Sequence, residues 1–307
     1  MSKNNQSETS IEEKGDITES SSESVQPVEN SLNKIQISDL LIPGFPSGFP
    51  TIDRLTKGFH HGELIVVASR PSMGKTCFVL NIAEYLALKA QIPVLYFSLE
   101  ASAKQILTRL VCSNQRLELD RLRGRELIGE EITRLSSGIK KFQNSKTLYI
   151  DDSRYLTLEL LSKKIKAWLQ KVGVYGVIII DYINLMSSET KAENRYQEMA
   201  TISRGLKLLA KEVKCPIIAV SQLSRYVENR PDKRPILSDL RDSGTIEEDA
   251  DVVIFLYRDV MYYWDLQETN KERDAEAIIR KQRYGKTGTV NLIFYGEYSQ
   301  FKESIKR

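Results

Sequence analysis

Cysteine is scarce. Cys77, Cys112 and Cys215 are the only three in 307 residues. Their wide spacing makes neither a metal-ligand pattern nor a disulfide framework, so each reads as a small buried hydrophobe in a reducing compartment. Long apolar runs are lacking too. None approaches the about 18 residues that a membrane-spanning helix needs, so no membrane partner is expected. The first residues have neither the apolar core of a secretory signal nor the arginine-rich, acid-poor look of a transit peptide. A bacterial cytoplasm, or the stroma of a plastid or similar organelle that encodes the chain, is the expected location. A strong charge of one sign is also missing. The net charge is only +3, so any contact with nucleic acid must rest on local patches.

What is present divides the chain in two. Residues 1–34 are rich in Ser, Glu and Asn and poor in large apolar side chains. Such a segment cannot bury enough surface to offset its ordering entropy and is expected to be a disordered polar, acidic tail. Residues 35–307 read as one domain, and 41% hydrophobic residues suffice for a sizeable core. Ile52, Leu55 and Phe59 recur at helical spacing. Strands are expected at 64–67, 93–100, 147–152, 174–181 and 216–222, with helices between them. That alternation points to a mostly parallel α/β sheet with crossover helices. Residues 223–250 are polar and read as an exposed functional loop. Segments 252–257, 275–283 and 289–294 read as late antiparallel additions at a sheet edge.

Chemistry concentrates first in Leu64-Ile-Val-Val-Ala-Ser69-Arg-Pro-Ser-Met-Gly74-Lys75-Thr76. An apolar strand, a tight polar turn, Gly-Lys-Thr and an amphipathic helix through Phe78, Ile82, Tyr85 and Leu86 are the context of a phosphate-binding loop. The stretch Ser69, Arg70, Pro71, Ser72, Met73 and Gly74 is expected to cradle nucleotide phosphates with its backbone N–H groups, aided by the helix N-terminus. Lys75 can reach the β- and γ-phosphates, and the Thr76 hydroxyl can ligate Mg²⁺. Ser69 stands where G-x-x-x-x-G-K-[ST] has its first glycine; a small residue leaves room for the turn.

Glu100, Asp181 and Gln222, like Ser69, each end or follow an expected strand. Ligands of parallel sheets sit at the carboxyl ends of strands, so the four are read as one site. Asp181 is placed to hold Mg²⁺ directly or through water; alone it reads equally as a strand-end cap. Glu100 can orient and deprotonate an attacking water, or cap a helix. Gln222 can sense a γ-phosphate, or be an ordinary loop amide. Strand alternation puts Lys281 and Arg283 on one face, where two cations could reach a neighbouring subunit's γ-phosphate. By themselves they read more readily as a solvated hairpin tip. Arg241, Asp242 and Gly244 lie in a segment whose cation and N–H groups could grip a phosphate backbone. Aromatic residues are not interleaved there, so base stacking is not expected.

Taken together, Ser69 to Thr76, Phe97-Ser-Leu-Glu100, Ile180-Asp-Tyr-Ile-Asn-Leu185, Val220-Ser-Gln-Leu-Ser-Arg225, Ser238 to Asp251 and Lys281-Gln-Arg283 resemble the replicative DNA helicase family DnaB, over about residues 42–301. The resemblance is to that family's C-terminal ATPase domain. It implies an α/β, RecA-like P-loop NTPase fold: a mostly parallel twisted sheet flanked by helices, with antiparallel edge strands. It implies ATP and Mg²⁺ as ligands and single-stranded DNA as a partner. It also implies a homohexameric ring that moves 5′ to 3′ and unwinds duplex at the replication fork. The family roles fall on Lys75 and Thr76 for phosphates and Mg²⁺, Asp181 as the second Mg²⁺ residue and Glu100 as catalytic base. Gln222 would couple the γ-phosphate to the DNA loops, Lys281 and Arg283 would act across the subunit boundary, and Arg241, Asp242 and Gly244 would contact DNA. Asp242 stands where the family usually has Glu. The family's N-terminal collar domain, which binds primase, and its linker helix are expected to be absent, with the polar tail in their place. Primase, or a partner supplying that domain, is therefore an expected partner. Two other readings stand beside the motor: a RecA-like DNA-dependent ATPase of the recombination or clock-protein kind, and a DNA-binding accessory protein without unwinding activity.

Overall fold

The computed structural model describes residues 44–188, 194–243, 245–263, 273–283 and 285–304, the side chains of 241–243 excepted. The expected tail at 1–34 lies outside the described residues. The sheet is organised around β1 (Leu64–Ser69), buried at all six positions. Successive side chains of a strand point to opposite faces. Ile65 and Val67 accordingly enter one core, and Leu64, Val66 and Ala68 the other. A strand buried at every position and apolar up to its last residue, Ser69, can only be satisfied by cover on both faces, which is the parallel-sheet pattern.

Helices supply that cover. The short helix α1 (Pro50–Thr56) precedes β1; after β1 come α2 (Lys75–Tyr85), β2 (Val94–Ser98) and α3 (Ala103–Gln115). Phe59, expected in that first helix, lies beyond it and pairs as a β-bridge with Phe45. Two charged helices follow, α4 (Leu119–Gly124) and α5 (Glu130–Gln143), then β3 (Leu148–Asp151), α6 (Leu158–Val172), β4 (Val177–Asp181), α7 (Arg195–Val213) and β5 (Ile217–Gln222). Phe78, Ile82, Ile106 and Leu110 from α2 and α3 fill the first core. Leu161, Ile165 and Trp168 of α6 and Met199, Ile202 and Leu206 of α7 fill the second. Each such side chain contributes about 1.5–3 kcal/mol when fully buried. The helices start where the sequence provides acceptors. Ser102 and Gln105 form a reciprocal capping box at α3, and Asn194 caps α7.

Among the described residues nine strands lie in the order β3-β2-β4-β5-β1-β6-β7-β8-β9. The last four are β6 (Val252–Tyr257), β7 (Asp274–Gln282), β8 (Gly288–Tyr295) and β9 (Gln300–Glu303). β6 is not an antiparallel edge addition. It runs parallel to β1 and is buried at every position, as its unbroken Val-Val-Ile-Phe-Leu-Tyr run requires. The antiparallel pairs begin only with β7 and continue to β9, a strand not expected from the sequence. Residues 223–250 are not an open loop either. They contain the 3-10 turns Arg225–Asn229 and Leu237–Ser243 and the short helix α8 (Ile246–Asp249), anchored by buried Leu223, Val227, Leu240 and Ile246. Among the described residues no helix is long and apolar enough to cross a membrane.

Candidate active site

Parallel pairing aligns four strand ends. Ser69 of β1 sits beside Gln222 of β5, and Ser98 of β2 beside Asp181 of β4. The Leu99 N–H donates to the Asp181 carbonyl (2.8 Å), which brings Glu100 to the same edge. Here a cleft of about 620 Å³ opens, lined among others by Pro71, Ser72, Gly74, Lys75, Thr76, Glu100, Asp181 and Gln222. Of the four strand-end residues, Glu100, Asp181 and Gln222 line this one cavity, while Ser69 is fully buried.

The loop's conformation explains its residues. Gly74 has φ +98°, and a Cβ there would lie 2.9 Å from the Phe301 ring, so glycine is required both by conformation and by space. The Gly74 carbonyl accepts from the Phe78 N–H and starts α2. Ser69 is buried, and its hydroxyl donates to the Arg70 carbonyl at 2.8 Å. The Lys75 ammonium rests on the loop's own oxygens: Ser69 O (3.1 Å), Arg70 O (3.2 Å) and Ser69 Oγ (3.4 Å). Burial pulls the Lys75 amine down to about 8, with Asp181 acting against that fall. Two loop side chains face away from the cleft. Arg70 donates to Leu223 O (2.8 Å) and to Glu228 (2.7 Å), and Met73 is buried.

Asp181 is almost fully buried, and burial pushes its carboxyl up. Hydrogen bonds from Thr76 and from the Tyr96 hydroxyl (2.8 Å to Oδ2) oppose this. Tyr96 is itself enclosed, and burial beside the carboxylate holds its phenol well above its ordinary range, so it stays a donor. Glu100 is exposed at the rim. The Gln222 N–H donates to Asn184 Oδ1 (3.1 Å), which fixes the strand end and leaves the side chain exposed.

Lys281 and Arg283 are elsewhere. The last residues of β7 pair with the first of β6, Val252 with Gln282 and Val253 with Lys281. They therefore lie at the amino end of β1 and β6, opposite the cleft. Lys281 Nζ donates to the carbonyls of Glu247 (2.6 Å) and Glu248 (3.0 Å), and Arg283 pairs with Asp251 (3.3 Å). Arg241 and Asp242 fall in the turn Leu237–Ser243, but their side chains, and Gly244 altogether, lie outside the described residues.

The family model for the DnaB-like helicase C-terminal domain matches residues 44–303. The chain belongs to that family. It is 44% identical over 284 residues to the replicative DNA helicase DnaB of Geobacillus stearothermophilus, covering 92% of this chain and 61% of that one. A solved ATPase domain superposes with a TM-score of 0.82 at 36% identity, covering 90% of this chain and 97% of its own. A solved DnaB-like replicative helicase, described with its interactions with primase, superposes at 0.80 and 36% identity, covering 90% and 66%. The chain spans about three fifths of the length of the curated relatives it matches.

In this DnaB-like domain the RecA-like sheet also brings residues to the cleft that no sequence motif marked. Arg109 and Gln105 reach it from α3 and Arg123 from α4, while Phe294 and Ser299 come from the antiparallel end. Arg258 stacks over the Phe294 ring, 4.4 Å from its centroid. The signal for Arg109 was available: Ile106 and Leu110 face the core, so the residue between them on the helix borders the same side. Tyr96 carried no signal, being one apolar position in a strand. The Asp181–Tyr182 peptide is cis. The arrangement offers a buried cation, a hydroxyl and carboxylate in contact, an exposed carboxylate and two further arginines around one polar cavity, which suits a polyphosphate.

Proposed function

We propose that this chain is an ATP-dependent DNA helicase motor that translocates 5′ to 3′ on single-stranded DNA and unwinds duplex at a replication fork as a homohexameric ring. One observation carries the reading: Lys75, Thr76, Glu100, Asp181 and Gln222 converge on one cleft while Lys281 and Arg283 stand at the opposite end of the sheet. The cavity has the size of a small-ligand site. Lys75 would exchange the loop carbonyls it now touches for phosphate oxygens. The Thr76 hydroxyl and Asp181 carboxylate, already in contact, suit Mg²⁺, which takes one or two protein oxygens and completes its shell with water and phosphate. When bound it neutralises charge that develops on the phosphates. Tyr96 holds the Asp181 carboxylate in place, Glu100 accepts the proton of the attacking water, and Gln222 reports the γ-phosphate to the segment after β5. Arg241, Asp242 and Gly244 would grip the DNA backbone, and Lys281 and Arg283 would complete a neighbour's site. Primase, or a partner carrying the collar domain, would join the ring. A bacterial cytoplasm or a plastid stroma would house it.

The decisive assay is ATP hydrolysis with and without single-stranded DNA, followed by strand displacement on a forked duplex. DNA-stimulated hydrolysis abolished by Glu100→Ala and Lys75→Ala is expected. Equal inactivity of wild type and variants would end the motor reading. Stimulated hydrolysis without displacement would leave the DNA-dependent ATPase instead.

A further inference from the structure

The segment between the expected DNA loop and β6 is short and unusually well connected to the two distant cations. Asp251, the residue before β6, is 2% exposed. Its Oδ2 accepts from the Leu64 N–H (2.8 Å) and from Lys207 Nζ (2.6 Å). Those contacts tie it to β1 and α7. Its Oδ1 faces Arg283 Nη1 at 3.3 Å, and its carbonyl accepts from the Arg283 N–H at 2.9 Å. Arg283 is thus held by both the main chain and the carboxylate of one residue, while its side chain remains 40% exposed. Lys281, two residues before Arg283, is seated on the carbonyls of Glu247 and Glu248, just ahead of Asp251 in the chain. The register contributes as well. Val253 pairs with Lys281 but Ile254 with Ile279, so Arg280 is the extra residue of a bulge. Bulges re-aim the side chains that follow them, and here they bring Lys281 and Arg283 onto the 247–251 segment.

We propose that Asp251 is the positioning residue for Arg283: residues 247–251 form a seat from which Lys281 and Arg283 are presented to the ATP site of a neighbouring copy. This rests on the trans-acting reading of those cations. An arginine without an anchor samples many rotamers, and a small misplacement of a charge that must meet a transition state is costly in rate. The fold uses one oxygen of the Asp251 carboxylate for Leu64 and Lys207 and leaves the other for Arg283. The seat begins three residues after residue 244.

The test is Asp251→Asn in the full chain. Asparagine keeps an acceptor for Leu64 but loses the charge that holds Arg283. The expected result is a fall in DNA-stimulated kcat of about tenfold or more, with unchanged affinity for a fluorescent ATP analogue and unchanged assembly by mass photometry. Adding Arg283→Ala to Asp251→Asn should lower kcat no further than Arg283→Ala alone. Mixing Asp251→Asn with Lys75→Ala subunits should restore activity above the sum of the two, because Lys75→Ala copies carry a well-seated Arg283 for the intact sites beside them. If the mixture shows no gain, or the two substitutions add, Asp251 acts within its own subunit and the proposal is overturned. Loss of assembly by Asp251→Asn but not by Arg283→Ala would overturn it too. Should Asp251→Asn fail to fold, Asp251→Asn with Lys207→Met removes both buried charges together and goes through the same mixing test. Failure of the motor reading looks different: the wild type itself would not hydrolyse ATP.

Discussion

Lys75 is a buried cation whose burial works against its charge. It sits at about 8 in the folded chain against an ordinary 10.5, chiefly through burial. Between those values the unfolded chain binds a proton that the folded chain has released, so stability rises with pH across that window. Below it the buried charge is a constant liability, of at most about 3 kcal/mol at 1.36 kcal/mol per unit. Lys75→Met is therefore expected to raise the unfolding free energy near neutral pH and to flatten the gain above about 8. Urea unfolding at two pH values measures both; a variant less stable than wild type near neutral pH would contradict it. Ser69 matters at the same scale. Its hydroxyl both satisfies the Arg70 carbonyl and offers Lys75 an oxygen, so the departure from glycine in the loop motif has a local function.

Among elements, the contact to examine is the one between the phosphate loop and the turn after β5. Arg70 is buried, and its partners Leu223 and Glu228 belong to the segment that leads toward residues 241–244. The Leu223 N–H also donates to the Ser69 carbonyl (3.1 Å), and the Ser224 N–H to the Asp239 carbonyl (3.2 Å). Glu228→Ala leaves part of the Arg70 guanidinium without its charged partner. A loss of about 1–2 kcal/mol is expected, seen as a fall in Tm of roughly 2–8 °C; an unchanged melting curve would show the pair to be incidental. This segment was the part of the fold hardest to foresee. Its Arg and Asp residues look solvated in one dimension. In space Arg230 takes both oxygens of Asp239, and Arg234 both of Glu276, forty-two residues away. Pairing across such separations has no periodicity to betray it. The central strands were legible for the opposite reason: Leu64 to Ser69 and Val177 to Asp181 are apolar at nearly every position, and only a doubly covered parallel strand satisfies that pattern. β6 carries the same mark: its unbroken apolar run places it inside the sheet beside β1 rather than at the edge.

At the scale of the whole molecule, the sheet has a direction. β1 is six residues long, so its two ends lie about 17 Å apart at about 3.3 Å per residue. The cleft is at one end and Arg283 at the other. ATPase activity per copy is therefore expected to rise with protein concentration and to saturate once assembly is complete, as measured by initial rates beside mass photometry across the same range. Constant specific activity down to the monomer would show each cleft to be sufficient alone. The strand-end residues of the cleft could be named from the sequence because a parallel sheet sends them to one edge. The separation of Lys281 and Arg283 from them could not, since it depends on β6 running parallel to β1, so that the antiparallel β7 ends away from the cleft.

That separation has a counting consequence. Contacts of the proposed kind are head-to-tail, and head-to-tail contacts give either closed rings or open rows. An open row ends in one cleft that receives no cations and one pair of cations that meets no cleft. It always holds one working site fewer than it has members, whatever its length. Closure joins those two idle halves and creates a site without adding a copy. Ring closure would then be visible as a step in turnover at constant mass of protein, and the final join is favoured whenever ATP itself bridges the two halves.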